Sequence, residues 1–160
     1  MTLKRRAVLA CLTGIIALGG STLAATPASA STFVVCDSWP APSISASGGY
    51  FTAHYYHLCN TITGLTEMVG DIWIWRDNGD GKPSDGDQLV AGRRIVSAPQ
   101  REAAGTTQYA VGSNHGHYYA EESLYFWGPD VTSGPAPHGG CGRIPSGEIR
   151  CWWYTSVIFG

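Results

Sequence analysis

The sequence predicts an all-β fold, either an antiparallel β-sandwich with immunoglobulin-like architecture or a small barrel, closed by two disulfides. Three observations predict it. No long stretch places apolar side chains at the helical period of about 3.6 residues. Short runs of β-branched and aromatic residues recur between turn residues, and the 160-residue chain contains 21 Gly and 9 Pro. An even number of cysteines, four, follows the N-terminal segment.

Eight short strands are predicted, each a run of β-branched and aromatic residues bounded by Gly, Pro, Ser or Asn. In chain order they lie near Thr32–Cys36, Ser43–Ala46, Tyr50–Leu58, Met68–Trp75, Leu89–Val96, Thr106–Val111, His117–Trp127 and Arg150–Phe159. The main breaks between them are 47–49, 77–87 and the Pro-rich segment 128–142. This number of strands in one chain is typical of a sandwich or a small barrel.

The N-terminal segment has the features of a secretory signal peptide. Three basic residues at positions 4–6 precede an apolar run, Ala7–Gly20, which is shorter than the ~20 residues that span a bilayer. Small residues at 28–30 provide a cleavage site after Ala30. We expect residues 1–30 to be removed, leaving a single β domain, 31–160, that is secreted and extracellular and has no membrane attachment.

The expected mature chain is acidic. Loss of three basic residues leaves seven Lys and Arg against 12 Asp and Glu, a net charge of −5 with neutral histidines. A domain with this charge is poorly suited to the phosphate backbone, so we expect no nucleic-acid partner. The sequence contains neither internal repeats nor heptads, and we expect a monomer.

The four cysteines of the expected mature chain are Cys36, Cys59, Cys141 and Cys151. An even number in an exported domain indicates two disulfides, and zinc is disfavoured because the chain has no CxxC pair. Three pairings exist. We favour Cys36–Cys59 and Cys141–Cys151, because each pair is close in sequence and flanks a hairpin-like segment.

Two of the predicted strands carry apolar residues on both faces. Isoleucines alternate with Trp73 and Trp75 in one strand, and the adjacent Trp152 and Trp153 lie near the start of the other. Such strands are either buried centrally or present one face to a ligand. Aromatic rings offer flat apolar area with a polar edge, which suits sugar rings or a partner protein. These four tryptophans are therefore the candidate ligand-binding residues, for an extracellular polysaccharide or protein.

The segment 77–87 is the candidate metal site. It combines four carboxylates and an asparagine with glycines that permit sharp turns. Calcium takes about six to eight oxygen ligands from loops of this composition. The candidate ligands are Asp77, Asn78, Asp80, Lys82 through its carbonyl, Ser84, Asp85 and Asp87. The alternative is a solvated acidic turn, because Asp, Asn and Gly are also the favoured turn residues.

With Gly81 at the invariant glycine position, this segment resembles the calcium-binding loops of EF-hand and dockerin-type proteins. The resemblance covers one loop and implies a calcium ion that stabilises the turn. The loop departs from that pattern at two positions: Arg76 stands where the first ligand is expected, and Asp87 replaces a bidentate glutamate. The flanking segments are also predicted as strands rather than helices.

Sequence motifs for catalysis are missing: no GxSxG, P-loop, HExxH or dinucleotide fingerprint occurs. His115, His117 and Glu121 could still form an acid–base site, although Glu121 lies ~13 Å from His117 along a straight strand. We therefore expect a secreted, non-catalytic binding module. The alternatives are a small secreted hydrolase that uses these three residues, and a protease inhibitor that presents Gly128–Gly142.

Overall fold

The computed structural model describes residues 30–39 and 42–160, and twelve β-strands form its regular structure. They are β1 (Thr32–Val34), β2 (Cys36–Asp37), β3 (Ser43–Ser47), β4 (Tyr50–Cys59), β5 (Glu67–Arg76), β6 (Gln88–Val96), β7 (Glu102–Ala110), β8 (His117–Trp127), β9 (Val131–Ser133), β10 (Gly140–Arg143), β11 (Ile149–Tyr154) and β12 (Ile158–Phe159). The predicted signal peptide, apart from Ala30, lies outside the described residues. Within them there is no helix with the length and apolar character needed to cross a membrane.

Two antiparallel sheets contain most of the strands. The large sheet has the order β10–β11–β8–β5–β6, with β12 paired to the end of β8. The small sheet has the order β2–β4–β3, and β7 pairs along the length of β4. A short parallel pair, β1 with β9, lies beside them. The predicted all-β, antiparallel architecture is thereby confirmed.

The two sheets pack on one hydrophobic core, because strand alternation gives each sheet one apolar face. In β4 the odd-numbered residues from Phe51 to Cys59 are buried, while His54 and Leu58 face solvent. Phe51 meets Tyr118 of the large sheet with ring centroids 4.4 Å apart. Each large apolar side chain buried in this way stabilises the fold by roughly 1.5–3 kcal/mol. The packing is sandwich-like, as predicted.

One carboxyl group lies inside this core. Glu122 of β8 is fully buried, and its Oε2 accepts hydrogen bonds from Ser38 Oγ at 2.7 Å and from Tyr56 N at 3.2 Å. Burial, only partly offset by these hydrogen bonds, raises the pKa of Glu122 to about 8. The side chain is therefore mostly protonated at neutral pH, and it joins β8 to the small sheet.

Both predicted disulfides are confirmed. Cys36 pairs with Cys59 between β2 and β4, and Cys141 pairs with Cys151 between β10 and β11. In each case the two cysteines are also register partners of adjacent antiparallel strands. Each bridge therefore fastens a short strand at the edge of a sheet to a longer neighbour.

The strands differ from the prediction in three places. The first predicted strand, Thr32–Cys36, is divided into β1, which pairs with β9, and β2, which pairs with β4. The break 128–142 contains β9 and most of β10, and the last predicted strand is interrupted at 155–157. The interruption has a local cause: Thr155 Oγ1 accepts a hydrogen bond from Ala120 N, and Thr155 N donates to Ala120 O. A threonine side chain thus replaces one ladder hydrogen bond before β12 resumes pairing with β8.

Candidate functional site

The outer face of the large sheet, opposite the core, contains a cleft of about 490 Å³ that we call the aromatic cleft. Its floor is formed by alternate residues of β5, β8 and β11, whose register places Trp73 beside Glu121 and Trp75 beside Tyr119. One wall comes from the acidic loop between β5 and β6. The lining residues are Trp73, Trp75, Pro83, Ser84, Asp85, Asp87, Tyr119, Glu121, Tyr125, Arg150 and Tyr154.

Aromatic rings form most of the apolar part of this cleft. Trp73 and Trp75 lie edge to face with centroids 6.1 Å apart, and Tyr119 and Tyr154 make a similar pair at 6.1 Å. The Trp73 ring lies directly on the backbone of β6 at Gly92. A Cβ at that position would come within 2.6 Å of Trp73 Cδ1, so glycine is needed there for the ring to keep its position.

An ion pair between Arg150 and Glu121 lies on the floor of the cleft. The Arg150 guanidinium is ion-paired with Glu121, and it also donates to Ser123 Oγ at 3.1 Å. Ser123 Oγ in turn donates to Glu121 Oε1 at 2.7 Å. Glu121 is only 4% exposed, and within residues 30–39 and 42–160 its side-chain hydrogen bonds all end on Oε1. Its Oε2 accepts no hydrogen bond from the described residues.

Two aromatic rings hold the Arg150 guanidinium in position. Its central carbon lies 5.5 Å from the ring centroid of Tyr125 and 5.7 Å from that of Trp152. Cation–π contacts of this kind contribute about 0.5–2 kcal/mol each, depending on exposure. The Nε atom of Arg150 is buried without a hydrogen-bond partner among the described residues. The cleft therefore presents a fixed positive charge beside a fixed carboxylate.

The acidic loop is connected to the floor through Tyr119. The Tyr119 hydroxyl donates to Asp87 Oδ2 at 2.8 Å, and Ser84 N donates to the same oxygen at 2.8 Å. Burial and the Asp87 hydrogen bond both raise the pKa of Tyr119, so the hydroxyl stays protonated. Partial burial by itself would raise the pKa of Asp87. Hydrogen bonds from Ser84, Asn78 and Tyr119 outweigh burial and lower this pKa below its ordinary value. Asp87 is therefore an ionised acceptor.

The four predicted tryptophans separate onto the two faces of the large sheet. Trp73 and Trp75 line the cleft, and Trp152 lies on the same face, half-buried beside Arg150. Trp153 is 2% exposed and belongs to the core, so the expectation that it joins the ligand-binding surface is not met. The physical reason is strand alternation: adjacent residues of β11 face opposite sides of the sheet.

Besides Pro83 of the acidic loop, four residues of the cleft were not singled out from the sequence: Tyr119, Tyr125, Arg150 and Tyr154. Their alternation within β8 and β11 is visible in the sequence. What the sequence alone lacks is the register that places Tyr154 opposite Glu121 and Arg150 opposite Tyr125. With that pairing known, the same period-two argument would have found all four residues.

The acidic loop brings some of its predicted metal ligands together. One carboxylate oxygen from each of Asp77, Asp80 and Asp87 lies within 4.8 Å of the others. Two predicted ligands instead hold the loop together, because Asn78 Nδ2 donates to Ser84 Oγ at 3.0 Å and Asn78 Oδ1 accepts from Asp80 N. The remaining two, Lys82 and Asp85, are exposed, and Asp85 lines the cleft.

The structure does not bring the three residues of the hydrolase hypothesis together. His115 lies in a loop and lines a separate cavity of about 280 Å³, together with Tyr50 and Gly160. His117 begins β8, where its ring meets Phe159 at a centroid distance of 5.4 Å. Glu121 lies in the aromatic cleft, ion-paired with Arg150.

The segment that would be presented under the protease-inhibitor alternative, Gly128–Gly142, is anchored to the rest of the fold. It contains β9, which pairs with β1, and most of β10, which pairs with β11. Arg143 Nη2 donates to the Val131 carbonyl at 2.8 Å, and His138 Nδ1 lies 2.8 Å from Asp37 Oδ2. The segment is thus held at several points rather than projecting freely.

Comparison of this chain with protein-family models, with curated proteins and with solved structures finds no match.

Proposed function

We propose that this chain is an exported, non-catalytic binding module that holds a carbohydrate in the aromatic cleft. The observation that carries the proposal is the juxtaposition, in one concave site, of several aromatic rings with the ion pair Glu121–Arg150. Export is supported by the signal-peptide features of residues 1–30. It is also supported by the two disulfides, which persist in oxidising compartments.

Sugar chemistry matches both parts of the cleft. The C–H face of a pyranose ring is flat and apolar, so it can lie on a ring such as Trp73 or Tyr154. Its hydroxyls are donors and acceptors, which the Glu121 carboxylate and the Arg150 guanidinium can satisfy. Each stacked ring of this kind contributes about 1 kcal/mol. Several weak contacts together would give the modest affinity of a binding module.

The shape of the site favours a carbohydrate over a folded protein partner. Sites for small ligands are concave, with volumes of roughly 300–1,000 Å³ and a few placed polar groups, and the cleft falls in that range. Stable protein interfaces instead bury about 800 Å² on each partner and have cores depleted in charged residues. The charged floor of the cleft fits the first description.

A binding role fits the carboxylates better than hydrolysis does. Glycoside hydrolysis generally needs one carboxyl group that remains protonated to act as the acid. In the cleft, Glu121 is ion-paired with Arg150, and hydrogen bonds lower the pKa of Asp87. Both groups accept hydrogen bonds from the protein, Glu121 from Arg150 and Ser123, and Asp87 from Tyr119 and Ser84. The one carboxyl whose pKa is raised to about 8, Glu122, faces the core on the opposite side of the sheet.

Affinity gel electrophoresis against a panel of soluble polysaccharides tests the proposal. The panel covers β-glucans, xylans, mannans and glycol chitin, with the exported protein as the probe. We expect at least one polysaccharide to retard the wild-type protein, and Trp73→Ala to weaken that retardation about tenfold. Trp39→Ala is the matched control, because Trp39 is 61% exposed but lies outside the cleft.

Three results would contradict the proposal. The first is no retardation by any member of the panel. The second is an equal loss of retardation in Trp73→Ala and Trp39→Ala, which would place binding outside the cleft. The third is a release of reducing ends that disappears in Glu121→Gln, which would show that the cleft hydrolyses its ligand.

A further inference from the structure

We propose that Asp77, Asp80 and Asp87 bind one calcium ion and that this ion sets the wall of the aromatic cleft, so that carbohydrate binding depends on calcium. The second half rests on the proposed function. The first half does not, because calcium binding is measurable without any carbohydrate.

The first observation is the convergence of three carboxylates in one loop. An oxygen from each of Asp77, Asp80 and Asp87 lies within 4.8 Å of the others. Three like charges at that separation repel one another unless a cation lies between them. The cluster spans residues up to ten positions apart, and the loop is shaped by two glycines with left-handed backbones, Gly79 at φ 104° and Gly81 at φ 75°.

The second observation is independent of the clustering. Asp77, the member at the base of the loop, is only 7% exposed, and its Oδ2 accepts hydrogen bonds from Gly79 N and Gly81 N. Its Oδ1 is buried and has no hydrogen-bond partner among the described residues. A buried carboxylate oxygen without a partner is strongly unfavourable, and a bound cation removes that penalty.

Calcium fits this group of donors better than other common metals. The candidate ligands are all oxygens, which hard cations prefer, whereas zinc favours histidine and cysteine. Calcium accepts irregular coordination by carboxylates, backbone carbonyls and water, while magnesium requires near-octahedral geometry. Three carboxylates from one loop, with water or backbone carbonyls completing the shell, match the description of a calcium site.

The connection to the cleft runs through Asp87. Its Oδ2 accepts the hydrogen bond from the Tyr119 hydroxyl, and Tyr119 lies on the cleft floor. Ser84 and Asp85 on the same loop line the cleft wall. An ion that fixes Asp87 would therefore fix both the orientation of Tyr119 and the position of the wall. Without the ion, the repelling carboxylates would spread the loop away from the floor.

Calorimetric titration of the chelator-treated, exported protein with calcium chloride tests the metal site. We expect one ion per chain, with a Kd of about 10⁻³ M or tighter, as in extracellular calcium modules. Asp80→Asn should weaken binding at least tenfold, since it removes a charge but keeps the oxygen that accepts from Lys82 N. Asp85→Asn is the matched control, because Asp85 is an exposed residue of the same loop outside the cluster.

An absence of calcium binding in the wild type would overturn the metal site. Equal weakening in Asp80→Asn and Asp85→Asn would also overturn it, because the effect would then be general charge attraction. Equal affinity for magnesium chloride would contradict the assignment of the ion to calcium.

The link to the cleft is tested with calcium alone, followed by tryptophan fluorescence. We expect calcium to shift the emission of wild type, because Trp73 and Trp75 share the cleft with the loop. Tyr119→Phe should still bind one calcium ion but show less than half of the emission change. A full change in Tyr119→Phe, or no change in wild type despite bound calcium, would overturn the link.

Affinity gel electrophoresis, repeated with calcium or with chelator, distinguishes a failure of the calcium dependence from a failure of the proposed carbohydrate binding. Retardation that falls at least fivefold in chelator supports calcium dependence. Equal retardation in both buffers overturns the dependence and leaves the carbohydrate proposal standing. Calcium binding with no retardation in either buffer overturns the proposed function, while the metal site remains.

Discussion

Adjacent residues in the large sheet have different environments, and this decides what each can do. Glu121 faces the cleft, ion-paired with Arg150, whereas Glu122 faces the core and is mostly protonated at neutral pH. Trp152 and Trp153 separate in the same way. Because the strand period is two, one residue of displacement would exchange these roles, so the register of β8 and β11 is fixed by both faces.

Glu122 makes the stability of the fold dependent on pH. Its carboxyl has an ordinary pKa of 4.5 and a folded pKa raised to about 8. The stabilising contribution is therefore complete below about pH 4.5 and is lost as the pH rises through about 8. The loss is on the order of a few kcal/mol, since each pKa unit corresponds to about 1.4 kcal/mol.

Glu122→Gln cannot ionise and should remove this pH dependence. Urea denaturation at pH 5 and pH 8 measures it: the wild-type midpoint should fall toward pH 8, and the midpoint of Glu122→Gln should fall less. Glu67→Gln, an exposed residue at the start of β5, is the control and should follow the wild type. Parallel pH profiles for wild type and Glu122→Gln would show that the core carboxyl does not carry the effect.

At the scale of elements, the sequence predicted the long strands whose residues alternate between apolar and polar or form an aromatic run. The alternation of buried residues in β4 and the aromatic run of β8 were visible without the structure. Two strands, β9 and β10, were missed because they are short and lie in a segment rich in Gly and Pro. The pairing of β9 is with β1, about a hundred residues away in the sequence, whereas β10 forms a hairpin with the neighbouring β11.

The cleft likewise has some residues that a local sequence pattern reveals and others that depend on strand pairing. Trp73 and Trp75 could be selected from the sequence because they alternate with isoleucines within one strand. The position of Arg150 beside Glu121 depends on how β11 pairs with β8, which no local pattern contains. The convergence of Asp77 with Asp87 likewise depends on how the loop closes, although the acidic composition of the segment was evident.

The two disulfides provide a matched pair of element-scale variants. Cys36–Cys59 fastens β2 in the small sheet, and Cys141–Cys151 fastens β10 to β11 in the sheet that bears the cleft. Replacing either pair by alanines should lower the free energy of unfolding by about 3 kcal/mol, from the loop entropy restored to the unfolded chain. Denaturant midpoints measure this cost.

The same variants should differ in ligand binding. The protein without Cys36–Cys59 should retain the affinity of wild type wherever it is folded, because that bridge lies away from the cleft. Loss of Cys141–Cys151 should weaken binding, because β11 positions Arg150 and Tyr154. The opposite order of affinities would contradict the placement of the site on the large sheet.

At the scale of the whole molecule, the two sheets use one face each to build the core, and the outer face of the large sheet remains covered by its own side chains. Tyr119, Glu121 and Ser123 are buried on that face even though the small sheet packs on the other side of β8. This face therefore combines a polar, ion-paired floor with aromatic rings. The proposed carbohydrate ligand would use both parts.

The most direct test of this account is the response of the six tryptophan indole N–H signals to ligand, followed by two-dimensional ¹H–¹⁵N NMR with assignments from single Trp→Phe variants. The ligand is the polysaccharide that retards the protein in electrophoresis, or an oligosaccharide prepared from it. We expect the signals of Trp73 and Trp75 to shift on titration, while those of Trp39 and the buried Trp153 stay in place. A titration that shifts Trp39 and leaves Trp73 and Trp75 unchanged would contradict it.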